Sequence, residues 1–166
     1  MKIHTRHAFP GTLEQFWASW WDEELDARLT ARSDVRRERL EQVKDGAITR
    51  SRMRFHTPYA LPSLVQRAMG ASTLSYEQVT MVDEAAGLVR WEVIPPVYPD
   101  KVKATGTVRI QALPGGGVER LLEGEVVVGV PLVGGTMEKA ILDGIVKGHD
   151  EDAVIRTAWL RETFGS

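Results

Sequence analysis

The sequence predicts an α+β fold in which a curved antiparallel sheet of about seven strands wraps a long C-terminal helix, with two short helices after the first strand. Three observations carry this expectation. From Val35 to Val130 apolar residues recur at a spacing of two, in segments punctuated by Asp45-Gly46, Pro95-Pro96 and Gly115 to Gly117, as consecutive antiparallel strands require. Two stretches of helical spacing separate this series from an opening strand. From about Val133 to Phe164 only scattered glycines oppose a helix, and roughly 30 residues at 1.5 Å each span about 45 Å, enough to lie across the whole sheet.

Composition bounds the rest. With 166 residues, 43% of them apolar and 27% charged, and a formal net charge of −2, the chain reads as one domain over residues 1–166 that buries a sizeable core without staples. The absence of cysteine excludes a disulfide framework, a thiolate nucleophile, a zinc ribbon and an iron–sulfur cluster. His4, His7 and His56 lack metal-ligand spacing, so no metal or other cofactor is expected. No apolar run approaches the ~18 residues of a membrane span, and Met1 to Pro10 alternates charged and apolar residues, so the expectation is a soluble, cytoplasmic protein.

The elements follow in order. Met1 to Phe9 alternates, with Ile3, Thr5, His7 and Phe9 on one side, until Pro10-Gly11 stops the strand. Thr12 and Gln15 form a capping-box pattern ahead of Leu13, Phe16, Trp17 and Trp20, and Asp22 can cap a second helix to about Leu29. Taking Asp45 and Gly46 as a two-residue loop pairs Val43 with Ile48 and Leu40 with Ser51. That register turns Glu38, Leu40, Met53 and Phe55 inward, and Arg37, Arg39, Glu41, Arg50, Arg52 and Arg54 outward. Residues 57–73 hold a short amphipathic helix after Pro62, either a lid over one mouth of the fold or a fixed connection. Leu74 to Asp83 and Leu88 to Val97 are strands, the latter with Trp91 toward the core. Lys101 to Leu113 and Val118 to Val130 follow, joined by a three-residue loop that pairs Ile110 with Leu122 and Arg109 with Glu123. On the final helix Met137, Ile141, Ile155 and Trp159 form one apolar stripe and Leu142, Val146, Ala153, Leu160 and Phe164 a second, about 120° away.

The opening HTRHAFPGTLEQFWASWW, the consecutive hairpins and the passage VVVGVPLVGGTMEKAILDGIVKG into the last helix resemble the START-like superfamily, also called the SRPBCC or helix-grip fold. The resemblance covers all 166 residues, and the last passage is especially similar to an uncharacterised branch. It implies a deep, mostly apolar cavity between sheet and helix, of the kind used for lipids, sterols, polyketides and plant hormones. Fold alone does not choose among these.

Candidate site residues come from the inward arc of the last helix and the wall opposite. Glu138, Ile145, His149, Asp152 and Arg156 project between the two apolar stripes, where ionisable groups need partners or a polar cavity, and His149 and Asp152 at i and i+3 can meet. Glu38, Met53, Phe55, Trp91, Ile141 and Trp159 complete the expected lining, with Glu38 a carboxyl group in an apolar wall. Gly144 and Gly148 either allow close packing or widen the cavity. Residues 28–54 hold nine basic and four acidic side chains. Arg37, Arg39, Arg50, Arg52 and Arg54 thus offer an anionic membrane a weak contact, whereas the lack of interleaved aromatics argues against nucleic acid.

The first functional reading is binding, sequestration or transfer of a hydrophobic small molecule. The alternatives are a cyclase- or hydratase-type enzyme using Glu38, His149 or Asp152 as acid and base, and an interaction module with a packed interior. A cavity of more than a few hundred cubic ångströms favours the first two. The sequence leaves ligand identity and oligomeric state open.

Overall fold

A computed structural model describes residues 1–32 and 35–165. The chain runs β1 (Lys2–Phe9), α1 (Leu13–Trp21), α2 (Glu23–Arg32), β2 (Arg36–Asp45), β3 (Ile48–Ala60), α3 (Ser63–Met69), β4 (Thr73–Asp83), β5 (Leu88–Ile94), β6 (Val102–Ala112), β7 (Val118–Val128) and α4 (Gly134–Phe164). The strands form one antiparallel sheet in the order β1-β7-β6-β5-β4-β3-β2. The chain therefore crosses from β1 at one edge to β2 at the other and lays down the remaining strands in sequence back across the sheet, until β7 pairs with β1.

Local chemistry places the short helices. The capping box forms as expected: the Gln15 amide donates to Thr12 Oγ1 at 3.2 Å and the Thr12 amide donates to Gln15 Oε1 at 3.1 Å. The Leu25 amide donates to Asp22 Oδ1 at 2.8 Å, starting α2, which runs three residues past its expected end at Leu29. Phe9, Phe16 and Leu25 are buried where these helices close one end of the sheet. On α4, Met137, Ile141, Ile155, Trp159 and Leu160 are buried. The second stripe is covered less than expected: Leu142, Val146 and Ala153 are half-buried and Phe164 is exposed.

Both predicted hairpin registers need correction. In the first, Asp45 pairs with Ile48, so the loop is Gly46-Ala47, with Gly46 at φ +60°. Glycine at the first loop position suits a II′ turn, and the pairing moves by two residues relative to a type I′ turn centred on Asp45-Gly46. Two residues is a whole side-chain period, so this shift alone leaves the faces unchanged. A bulge reverses them. The register steps from Glu41 opposite Arg52 to Arg39 opposite Met53, which makes Leu40 the extra residue. Beyond it, Arg37 and Arg39 share the inward face with Phe55 and Met53, while Glu38 turns outward.

In the β6–β7 hairpin Val108 faces Leu122, Arg109 faces Leu121 and Thr107 faces Glu123, in place of the expected Ile110–Leu122 and Arg109–Glu123 pairs. Gly116 and Gly117 both take positive φ, +98° and +87°, which lengthens the loop to residues 113–117 and puts Arg120 opposite Ile110. One close approach fixes Trp91. Gly106 and Gly124 face each other beneath its indole, and a Cβ on either would collide with the ring.

The segment after Pro62 is a connection, not a lid over the main cavity. Leu61, Val65 and Met69 are buried in the core, and the Tyr98 hydroxyl donates to the Ala68 carbonyl at 2.6 Å, tying α3 to the β5–β6 loop. α4 packs mainly on β1 and β7, flanked by α1 and α2, while the sheet continues through β5, β4 and β3. The space between α4 and those strands is the candidate site.

Candidate functional site

A cavity of about 170 Å³ lies between the inner face of β2 to β5 and the middle of α4, with Trp20, Trp21 and Leu29 at one side. Its sheet wall is mixed: Met53, Phe55, Tyr76 and Trp91 form an aromatic and apolar patch, with Phe55 stacked on Tyr76 at 5.3 Å between ring centroids, and Gln42, Ser51, Gln78 and Thr80 add polar groups around it. The helix wall is split by size. A Cβ on Gly144 would touch the Leu74 side chain at 3.3 Å, so that glycine allows close packing, whereas a Cβ on Gly148 would meet nothing within 4 Å. Gly148 keeps the cavity open. The volume falls short of the few hundred cubic ångströms expected for a sterol-sized guest, yet exceeds the roughly 150 Å³ at which an apolar cavity accepts benzene.

One end of this cavity is an ion-pair lattice that ties four elements together. Asp152 on α4 accepts hydrogen bonds from Arg156 Nε at 3.1 Å and Nη2 at 2.8 Å, and from Arg120 Nη1 of β7. Arg120 also donates to the His149 carbonyl at 3.0 Å and lies over the Phe9 ring. Arg156 donates to Ser19 Oγ of α1 at 2.8 Å, and Ser19 in turn to the Phe16 carbonyl at 2.5 Å. Arg120 and Arg156 are almost wholly buried, at 2% and 5% exposure, which only such multiple pairing makes tolerable. From β2, within electrostatic reach of Asp152 and Arg156, Arg37 pairs with Asp26 of α2 at 3.1 Å and lies over Phe55.

This environment fixes protonation states. Burial, reinforced by the Arg120 guanidinium, pushes His149 down to about 3, so the imidazole is neutral at pH 7. Burial works to raise Asp152, but the Arg156 and Arg120 guanidiniums outweigh it and hold the carboxyl well below its usual range. Burial lowers both Arg37 and Arg120, against the pull of Asp26 and Asp152 respectively. His149 is therefore a weak base and Asp152 a neutralised anion. Neither is poised near pH 7 as a general acid or base should be.

The sequence-derived site is partly brought together. Met53, Phe55, Trp91, Ile145, His149, Asp152 and Arg156 line the cavity. Ile141 and Trp159 are buried in the adjoining core and do not line it. Glu138 accepts the Val128 amide at 3.0 Å, away from the cavity. His149 and Asp152 share the wall, but Asp152 hydrogen-bonds the two arginines instead of the imidazole. Glu38 is a correction: the Leu40 bulge sends it to the outer face, 3.5 Å from Arg54.

The same bulge dismantles the five-arginine outer patch, since Arg37 and Arg39 line the cavity. The three that remain outside are paired: Arg50 with Glu41 at 3.2 Å, Arg52 with Glu77, and Arg54 with Glu77 at 3.0 Å. Those hydrogen bonds, from Arg52 first, hold the Glu77 carboxyl below its ordinary value.

Residues 4–160 match the family described as a protein of unknown function, DUF2505. The chain belongs to that family. No curated protein matches this DUF2505 chain. Among solved structures it is similar to TTHA0849 from Thermus thermophilus, at 15% identity with a TM-score of 0.65, covering 96% of this chain and 99% of that one. It is similar to the ZhuI aromatase/cyclase from Streptomyces sp. R1128, at 14% identity and a TM-score of 0.62, over 100% and 96% of the two chains. A third likeness is to Ara h 8.0201, at 8% identity and a TM-score of 0.62, over 98% and 99%. At these identities the likeness establishes the fold: this DUF2505 chain has the helix-grip architecture. Among the described residues no helix is long and apolar enough to cross a membrane.

Arg120, Arg37 and Arg39 are among the cavity residues of this DUF2505 chain that the sequence reading did not place there. Arg120 carried a signal, because it falls at the period-two position between Val118 and Leu122 on an inward strand face. Arg37 and Arg39 carried none, since a single extra residue in β2 decides which face they take.

Proposed function

We propose that this protein binds a small hydrophobic molecule, about the size of a single ring system, in the cavity between the sheet and α4. The observation that carries this reading is Gly148. Inside a helix, glycine costs about 0.5–1 kcal/mol relative to alanine, and here the missing side chain points into open space rather than relieving a contact. Its effect is to preserve volume. The aromatic wall of Phe55, Tyr76 and Trp91 supplies apolar area for a guest, and two similarly folded structures are aromatase/cyclases, which is compatible with a cavity for a small organic molecule. The 170 Å³ volume favours a compact guest over a sterol or a long acyl chain. A neutral His149 and a doubly paired Asp152 favour holding over acid–base turnover.

Native mass spectrometry tests the reading on protein purified from its own host, beside a Gly148→Leu variant whose side chain fills the opening. The expected result is a small noncovalent adduct on the wild type that organic solvent releases, and none on the variant. Wild-type protein that is bare and takes up no added toluene would overturn it.

A further inference from the structure

The orphaned polar atoms of the interior are concentrated at this cavity. Among the described residues six buried side-chain nitrogen or oxygen atoms lack a hydrogen-bond partner, and four of them, Arg37 Nε, Trp91 Nε1, Arg120 Nε and His149 Nδ1, belong to residues that line it. Their chemistry is one-sided. Guanidinium and indole N–H groups donate and cannot accept, so three of the four atoms require an acceptor, and a neutral imidazole can supply a fourth donor. Trp91 and Arg120 are 5% and 2% exposed, too deep for bulk water to satisfy.

Charge points the same way. The cavity is lined by the guanidiniums of Arg37, Arg39, Arg120 and Arg156 against the carboxylates of Asp26, Glu151 and Asp152. Arg37 is engaged by Asp26, and Arg120 and Arg156 by Asp152, whereas Arg39, exposed at the rim on the same inward face, has no ion-pair partner among the described residues. The lining thus offers unmatched donors inside an excess of positive charge.

Resting on the binding function proposed above, we infer that the guest carries an oxyanion, a carboxylate or a phenolate, on a ring-sized apolar body. The ring occupies the space between Gly148 and the aromatic wall. The oxygen accepts from the orphaned N–H groups, and Arg39 balances its charge. A cationic guest of equal size would face the excess of guanidinium charge, with the carboxylates of Asp26 and Asp152 already engaged by Arg37, Arg120 and Arg156.

Trp91 reports on this directly, because its indole N–H gives its own signal in a ¹H–¹⁵N correlation spectrum, assigned by its loss in Trp91→Phe. Three probes of matched shape are titrated into the labelled protein: benzoate, toluene and benzylammonium. The expected result is a saturable downfield shift of the Trp91 indole N–H with benzoate only, and benzoate affinity roughly tenfold above that of benzylammonium. Arg39→Gln, a rim substitution that leaves the core intact, weakens benzoate severalfold and leaves toluene unchanged. Equal binding of all three probes, or benzoate binding without movement of the Trp91 signal, overturns the oxyanion while leaving the apolar cavity in place. Failure of every probe to perturb the cavity residues overturns both.

Discussion

His149 shows how a single residue records its surroundings. It sits on α4 with Arg120 reaching across from β7, Asp152 and Arg156 one turn and two turns on, and His7 from β1, and burial with Arg120 holds it neutral. Its folded-state value of about 3 lies below the ordinary 6.5, so between those limits the unfolded chain binds a proton that the folded chain refuses. Stability contributed by this group is complete above pH 6.5 and declines as pH falls, by at most about 1.4 kcal/mol per pH unit. Asp152 adds a loss in the same direction, starting only below its ordinary value of 3.8. Denaturant unfolding at pH 7 and pH 4.5 isolates the histidine: wild type should lose about 2–3 kcal/mol more over that interval than His149→Leu. Equal losses would contradict a neutral, buried imidazole.

At the scale of elements, the sheet is tuned by features one residue long. Gly106 and Gly124, paired across β6 and β7, leave a notch that the Trp91 indole fills. Gly124→Ala would push its methyl group into that ring and against the Thr105 carbonyl. The expected cost is about 1–3 kcal/mol of stability, read as a lower denaturation midpoint together with altered tryptophan fluorescence; an unchanged midpoint would show that the notch is slack. The hairpins explain what was legible beforehand. Strand existence, the capping box at Thr12 and the inward side of Trp91 follow from local patterns that the structure repeats. Register does not, because it depends on which glycine takes positive φ: Gly46 opens its loop one residue later than Asp45-Gly46 suggests, and Gly116 with Gly117 lengthens the other. Both shifts are by two residues and spare the faces. The Leu40 bulge shifts by one, exchanges Glu38 for Arg37 and Arg39 in the interior, and changes the cavity from acidic to donor-rich. No turn residue marks it, so the most consequential feature of the site was the least readable.

For the molecule as a whole, the architecture follows from covering one face of a curved sheet with one long helix. α4 satisfies β1 and β7 and meets α1 and α2, and the ion pairs of Asp152 with Arg120 and Arg156 lock that side shut. The strands from β5 to β3 are left facing a helix segment that carries Gly144 and Gly148. One side of the grip is cemented and the other is hollow, and Arg120, Asp152 and Arg156 of the cemented side form one end of the hollow. Fold likeness to TTHA0849 and to an aromatase/cyclase establishes the grip, while the size and polarity of the hollow come from residues of this chain alone. The most direct test is a high-resolution crystal structure of the protein purified without denaturation. Non-protein density lying between Gly148 and the Phe55–Trp91 wall is the predicted result; an interior closed by side chains rotated into that space, with no room for a guest, would contradict the account.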